Sequence, residues 1–288
     1  STHRYTLFPY TTLFRSMTTD DIPLGLRLMR QAGWNQLEAD WRRFLAMQPD
    51  GCFIGELDGS SVGTTVTCIL GPVAWIAMVL VDTDSRRQGV AAALLKHSLA
   101  FLDGQGVRTV RLDATAAGRL VYEKLGFTPE YRLTRYMGIA PQRAARPDVV
   151  QADPRQFGEV FTFDREITAT DREKMLSRLF VESPHGVHIL RLNGRLEGYV
   201  STRSGTNAIQ IGPCVAALHA GETLLADALG RCAGGPVFID VPQDNAPAVA
   251  LVEAAGLKAQ RDFTRMCWGE RIGDQPQAIW ASSGPEKG

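Results

Sequence analysis

Residues 78–102, MVLVDTDSRRQGVAAALLKHSLAFL, have a clear chemical capacity. An apolar strand runs into a polar turn, then into Arg86-Arg87-Gln88-Gly89-Val90-Ala91, then into a helix with Ala92, Leu95, Leu99 and Leu102 along one side. The first N–H groups of a helix have no intrahelical acceptor, and the helix dipole adds partial positive charge at that end. Gly89 and Ala91 carry little or no side chain, so a ligand can approach the backbone closely. A phosphate or pyrophosphate suits such a place. The stretch has neither the GxxxxGKS/T of a P-loop nor the GxGxxG of a dinucleotide turn.

About 30 residues further on comes RLDATAAGRLVYEKLGF, a strand followed by a helix, with Tyr122 four residues before Gly126-Phe127. The R-x-x-G-x-A pattern after a strand, followed at this distance by a Tyr shortly before Gly-Phe, resembles the two signatures of the GNAT superfamily of acetyl-CoA-dependent N-acetyltransferases. The resemblance covers roughly residues 17–138. It implies a sheet that splays open beside the pyrophosphate loop, with the acetyl-pantetheine arm of acetyl-CoA in the gap. Leu80 and Val81 would then contact that arm through their backbone. Gln88, Gly89, Val90, Ala91 and Ala92 would offer N–H groups to the pyrophosphate. Arg86 or Arg87 would add a charge-assisted contact worth about 1.5–3 kcal/mol, with a solvated surface position the alternative for Arg87.

Acetyl transfer to an amine needs a neutral nucleophile and a proton for the departing thiolate. The resemblance gives the second task to Tyr122, whose phenol stays protonated at neutral pH; simple packing against the CoA sulfur is the alternative. Many members of the family place a glutamate on the strand before the pyrophosphate loop, yet residues 74–81 read AWIAMVLV and hold no carboxylate. A water chain, Glu38, Asp40, or an acceptor that arrives neutral all remain open as answers. His97 falls on a helix surface by its spacing and reads as structural.

The elements that must position these residues follow from periodicity and turn chemistry. Helices are expected over 22–31, 37–47, 89–102 and 117–125, a hairpin over 52–70, and strands over 74–81, 109–112 and 131–137. The hairpin rests on Asp58-Gly59, which supplies the positive φ angles of a tight turn. LNGRLEG from Leu192 echoes LDGSSVG from Leu57. ALLKHSLA and TLLADALG, EKLGF and EAAGL, and the LTR and FTR that begin at Leu133 and Phe263 match at one common offset of 130 residues. A shared offset across separated elements predicts a tandem repeat. The expected class is α/β (α+β): two tandem GNAT-like lobes, each a mixed, mostly antiparallel sheet flanked by helices. Residues 17–140 form the catalytic domain, 141–150 a linker, 151–270 a degenerate second domain and 271–288 a tail in which 278–281 can form a short strand. At the offset, Arg86, Gly89, Ala91 and Tyr122 become Ala216, His219, Gly221 and Val252, so the second lobe, which resembles the C-terminal lobe of bacterial tandem GNAT proteins, is expected to bind no CoA. It could wall the cleft, dimerise or sense a ligand. Asp164, Arg165 and Glu166 read as a solvated helix face.

Composition narrows the partners. Thirty-one basic residues balance thirty-one acidic ones in 288, which disfavours nucleic acid and anionic membranes. No apolar run reaches the length of a membrane span. Five scattered cysteines lack metal-ligand spacing and fit buried thiols in a reducing cytoplasm. The expectation is a cytoplasmic enzyme that takes acetyl-CoA, no metal and a small-molecule amine, with monomer and homodimer both open. An acyl-CoA or metabolite sensor without catalysis and an acetyltransferase of protein lysines or N-termini are the competing readings. Residues 1–16, STHRYTLFPYTTLFRS, fit neither a secretory signal nor an amphipathic targeting helix. They resemble a translated sequencing adapter, which places the native start near Met17 and leaves residues 13–16 standing in for a first strand.

Overall fold

The computed structural model describes residues 12–144 and 146–288. Most of the adapter-like stretch therefore lies outside the described residues, while its end forms β1 (Thr12–Ser16). The first half continues through α1 (Ile22–Ala32), α2 (Glu38–Met47), β2 (Cys52–Leu57), β3 (Ser60–Leu70), β4 (Val73–Val81), α3 (Val90–Gly104), β5 (Thr109–Thr115), α4 (Ala116–Lys124) and β6 (Thr128–Ile139). The second half repeats the same order: β7 (Val149–Gln151), α5 (Phe157–Thr168), α6 (Glu173–Glu182), β8 (His188–Leu192), β9 (Arg195–Arg203), β10 (Ile209–Ala216), α7 (Leu218–Arg231), β11 (Pro236–Pro242), α8 (Ala246–Ala254) and β12 (Lys258–Gly269). A short β13 (Ile279–Ala281) follows. The tandem repeat is thus present element by element, and α4/α8 and β6/β12 keep the 130-residue spacing.

Local chemistry explains the turns. Asp58 and Gly59 sit at φ 50° and 77°, and Asn193 and Gly194 at 50° and 80°, so both halves use the same two-residue hairpin. Gly33 ends α1 in the left-handed region, its N–H bonded back to Arg30 and Met29. Thr115 caps α4 by accepting from the Gly118 N–H at 3.3 Å. β1 pairs antiparallel with β2; Phe14 stacks on His97, and Arg15 bridges Asp21 and Glu56. His97 is half-buried between Phe14 and Phe53, the structural place expected of it.

The two halves join in one sheet of order β1-β2-β3-β4-β5-β12-β6-β11-β10-β9-β8-β7. Among the described residues only the β4·β5 and β10·β11 pairs are parallel. Each half gives its last strand to the other. β12 pairs with β5, β6 pairs with β11, and β6 and β12 meet at the centre from Lys258 opposite Met137 to Cys267 opposite Thr128. Two equivalent ion pairs lock this exchange. Arg265 faces Asp113 on β5 with two contacts of 2.9 Å, and Arg135 faces Asp240 on β11 at 2.7 and 2.8 Å. All four side chains are buried.

Removing one partner of such a pair leaves a buried charge uncompensated, at a cost of about 3–5 kcal/mol, whereas apolar replacement of both is close to neutral. We expect Asp240→Leu to lower the unfolding free energy by about that amount, and the Arg135→Leu/Asp240→Leu double variant to recover most of it. Denaturant titration of the three proteins checks both expectations.

Candidate active site

β4 and β5 are hydrogen-bonded neighbours only from Val73–Trp75 to Thr109–Arg111. Beyond that they part. The cause is visible in β4, where Thr64↔Leu80 and Val66↔Ala77 leave an extra residue on the β4 side and Met78 takes φ 50°. A non-glycine residue in the left-handed region is strained, typically by 1–3 kcal/mol. The Thr64 hydroxyl donates to the Met78 carbonyl at 2.8 Å and helps hold it there. The bulge turns the end of β4 away from β5 and opens a wedge.

Ile76, Ala77, Met78 and Val79 form one wall of this wedge and Leu112, Asp113 and Thr115 the other. Tyr122 projects into it from α4, which starts where β5 ends. The cavity is completed by Trp34 and Gln36, by Arg135, Arg261 and Phe263 of the exchanged strands, and by Pro285 and Glu286 of the tail. The Tyr122 hydroxyl has no hydrogen-bond partner among the described residues, and burial pushes its pKa up to about 12.

At the outer end of β4 lies the turn singled out by sequence. Gly89 caps α3 at φ 85° and no side chain reaches the helix end. The first helical bond there runs from the Ala93 N–H to the Gly89 carbonyl at 3.0 Å. The N–H groups of Gln88, Gly89, Val90, Ala91 and Ala92 have no acceptor among the described residues. Arg87, at φ 62°, is exposed. Arg86 donates through Nε to the Val81 carbonyl at 3.1 Å, so that oxygen is already partnered while the outer guanidinium nitrogens stay free. Leu80 is buried and, with Val81, forms the stretch of β4 between this loop and the wedge. Of the positions selected from sequence, Leu80 and Val81 therefore lie at the end of β4 and Arg86 to Ala92 in the turn and helix start that follow it, while Tyr122 lines the cavity.

The carboxylates proposed as bases are elsewhere. Glu38 is exposed and pairs with Arg42. Asp40 is buried against Arg43 and Lys287 at 2.7 and 2.9 Å; burial would raise its pKa, but Lys287, Arg203 and Arg43 outweigh that and hold it low. The carboxylates that do line the cavity escaped sequence reading, and both are engaged. Burial raises the pKa of Asp113 against the pull of Arg265. Glu286 accepts from Arg203 and Gln36 and touches Lys287, and these cations overcome its burial to lower its pKa. Asp164 also departs from expectation. It is buried, accepting from Arg172 and from the Tyr199 hydroxyl at 2.5 Å, while its neighbours Arg165 and Glu166 face solvent. The five cysteines are buried and free.

The second half has the corresponding wedge between β10 and β11, next to a β10 bulge between Ile211 and Cys214. There β13 fills it, pairing with β10 at Cys214↔Ala281 and Val215↔Ile279. The Asn245 amide donates to the Ile279 carbonyl at 3.1 Å, and the Ser282 N–H donates to the Asp240 carbonyl at 2.8 Å. Gly221, at the start of α7, lies under Trp280, whose indole would be 1.9 Å from an added Cβ. Val252, at the position of Tyr122, is buried core.

The family models for an acetyltransferase (GNAT) family and an acetyltransferase (GNAT) domain match residues 23–127 and 160–281. Holothin acyltransferase of Pseudoalteromonas sp. (strain SANK 73390) is 30% identical over 216 residues, 73% of this chain and 71% of that one. The chain belongs to the GNAT acetyltransferase family. It is a GNAT-type acyltransferase with two GNAT domains in tandem. The [ribosomal protein bS18]-alanine N-acetyltransferase of Escherichia coli (strain K12) is 28% identical over 120 residues, 39% of this chain and 78% of that one. A solved Pyrococcus horikoshii structure matches the fold with a TM-score of 0.81 at 24% identity, covering 100% of this chain and 99% of that one. GNAT enzymes take acetyl-CoA as cosubstrate. Among the described residues no cluster of His, Cys, Asp or Glu could hold a metal ion, and no helix is long and apolar enough to cross a membrane.

A side chain at Gly221 must displace Trp280 and with it β13. Overpacking of this kind costs about 1–3 kcal/mol, so Gly221→Ala is expected to lower the denaturant midpoint accordingly, whereas Gly158→Ala, where an added Cβ meets nothing within 4 Å, leaves it nearly unchanged.

Proposed function

We propose that this enzyme transfers the acetyl group of acetyl-CoA to a primary amine of a small molecule by direct attack in a ternary complex. The observation that carries the reading is the open wedge. At the end of β4 five N–H groups have no acceptor among the described residues, and where β4 and β5 part lies a walled cavity lined by the half-buried phenol of Tyr122, itself without a partner among those residues. The walls of the inner end, built by β12 and the tail, suit a small acceptor better than a polypeptide.

The residues fit the cosubstrate. The N–H groups of Gln88 to Ala92 face outward at the positive end of α3 and would receive the pyrophosphate, with Arg86 and Arg87 adding charge. Leu80 and Val81 would run beside the pantetheine arm. Acetyl-CoA supplies an activated thioester carbon. Tyr122 delivers its proton to the departing sulfur as the carbon–sulfur bond breaks and the carbon–nitrogen bond forms, and regains a proton from water. The acceptor's own proton leaves to water, because each carboxylate lining the cavity is tied to a cation. The second lobe serves as a wall and takes no CoA, since β13 occupies its wedge.

Calorimetric titration tests the site: one acetyl-CoA per chain, lost in Gly89→Glu, which places a carboxylate where the pyrophosphate would sit. Two sites per chain, or unaltered binding by the variant, would overturn the assignment. Tyr122→Phe should keep that affinity and lose roughly 100-fold in kcat, the range expected of a general acid.

The pH profile follows from the same groups. A phenol with pKa about 12 remains a proton donor across the working range, so the rate should show no alkaline fall below roughly pH 10. With no free base in the cavity, the acidic limb of kcat/KM should follow the acceptor's own ammonium pKa, and should shift with it when a less basic amine is substituted.

A further inference from the structure

Four charged side chains line the inner cavity, and three are matched. Asp113 holds Arg265 in a two-point contact, Glu286 holds Arg203 and Lys287, and Arg135 holds Asp240. Arg261 is the fourth. It makes no ion pair and donates no hydrogen bond among the described residues, although it is only half exposed to solvent. Arg135 stands directly opposite it across β6 and β12. An arginine keeps its charge under these conditions, so a half-buried, unpaired guanidinium beside a second one is electrostatically unfavourable unless something else answers it. Burial and the neighbouring Arg135 both work against its charge, and Asp240, which favours it, is already held by Arg135 in a two-point contact.

Backbone geometry also aims it. The β12·β6 register shifts between Ala259 and Arg261, and bulges of this kind redirect side chains near sites. Phe263, two residues on and on the same face, lies opposite Thr115, the cap of the helix that carries Tyr122. Two residues of strand are roughly 7 Å, which separates Arg261 from the Tyr122 end by the length of a small molecule.

We propose that Arg261 binds a carboxylate on the acceptor, so that the acceptors of this enzyme are amino acids or similar aminocarboxylates. The inference rests on the acyltransferase reading above. The planar guanidinium fork matches a carboxylate in a two-point contact, Phe263 faces the body of the acceptor, and the amine is left at the wedge. This makes the second repeat a specificity element of the first repeat's site, through its exchanged strand.

The test compares acceptors that share a skeleton and differ at the carboxylate, phenylalanine with phenylalaninamide and β-alanine with β-alaninamide, each kcat/KM being referred to the neutral amine because the amides are less basic. Wild-type kcat/KM is expected to favour the acid at least tenfold. Arg261→Met should erase the preference, acting through KM for the acid, and Arg261→Lys should restore part of it; acetyl-CoA titration confirms that each variant is folded. Equal kcat/KM within pairs, or a preference that survives Arg261→Met, overturns the assignment while leaving the transferase intact. If acetyl-CoA binds yet no acceptor turns over, the transferase reading fails instead. Calorimetry of N-acetylphenylalanine against its amide, on CoA-saturated protein, then decides Arg261 separately: tighter binding of the acid that is lost in Arg261→Met supports it, and equal affinities overturn it.

Discussion

Arg135 opposite Asp240 and Arg265 opposite Asp113 are the same contact made twice. The two arginines lie 130 residues apart, at the same place in β6 and β12, and each reaches the aspartate of the other repeat. Each guanidinium is further covered by aromatic faces, Phe238 and Phe263 over Arg135, and Trp75 and Tyr131 over Arg265. Burying four charges is tolerable only with this geometry. Because the pairs run between repeats, they turn two adjacent sheets into one, and the part of the first repeat's cavity wall that β12 supplies depends on it. Arg261 and Phe263 belong to the second repeat in sequence and to the first repeat's site in space.

The tail extends this dependence. From β13 it passes into the seam between repeats, where Trp75 donates to the Pro285 carbonyl at 3.2 Å and Arg172 donates to the Gly288 carbonyl. Lys287 is buried between Asp40 of α2 and Glu286, and Arg203 of β9 holds Glu286 at 2.7 Å. Arg43 connects Asp40 onward to Glu182 of α6. This chain of alternating charge crosses both repeats and leaves few of its members unsatisfied. Its physical effect on the site is to hold Pro285 and Glu286 as a fixed wall of the cavity.

The chemistry-bearing local features are legible in the sequence because they are set by neighbours along the chain. The Arg86–Ala92 turn, Tyr122 before Gly126-Phe127, the Asp-Gly and Asn-Gly hairpins and the repeat offset all have a local cause, and the element boundaries fall within a few residues of expectation. The exchange has none. β6 and β12 carry the same T-R dipeptide in the same register, so pairing within a repeat and pairing between repeats satisfy the same hydrophobic pattern and the same arginine–aspartate contact. Asp40 and Asp164 mislead for a related reason: each sits on an amphipathic helix among polar neighbours, and only the approach of distant cations, Lys287 and Arg172, turns it inward. Arg261 carries no local signal at all, since its position in the cavity is a product of the exchange and of one bulge.

The divergence of the repeats comes down to what enters a gap that both possess. A bulge on the fourth strand of each repeat, at Met78 and at Ile211 to Cys214, prevents the strand from following its parallel neighbour. An open gap exposes backbone polar groups that need partners. In the second repeat the chain supplies its own: β13 adds the missing hydrogen bonds and Trp280 closes over the helix end, which requires Gly221 and excludes any larger residue. In the first repeat no segment of the described chain enters, Gly89 leaves the helix end bare, and the strained Met78 is held in place by Thr64. Filling one gap from within supplies partners to the second repeat's strand edge, and leaving the other unfilled keeps a bare strand edge and a bare helix terminus side by side, which is the arrangement the function proposed above requires.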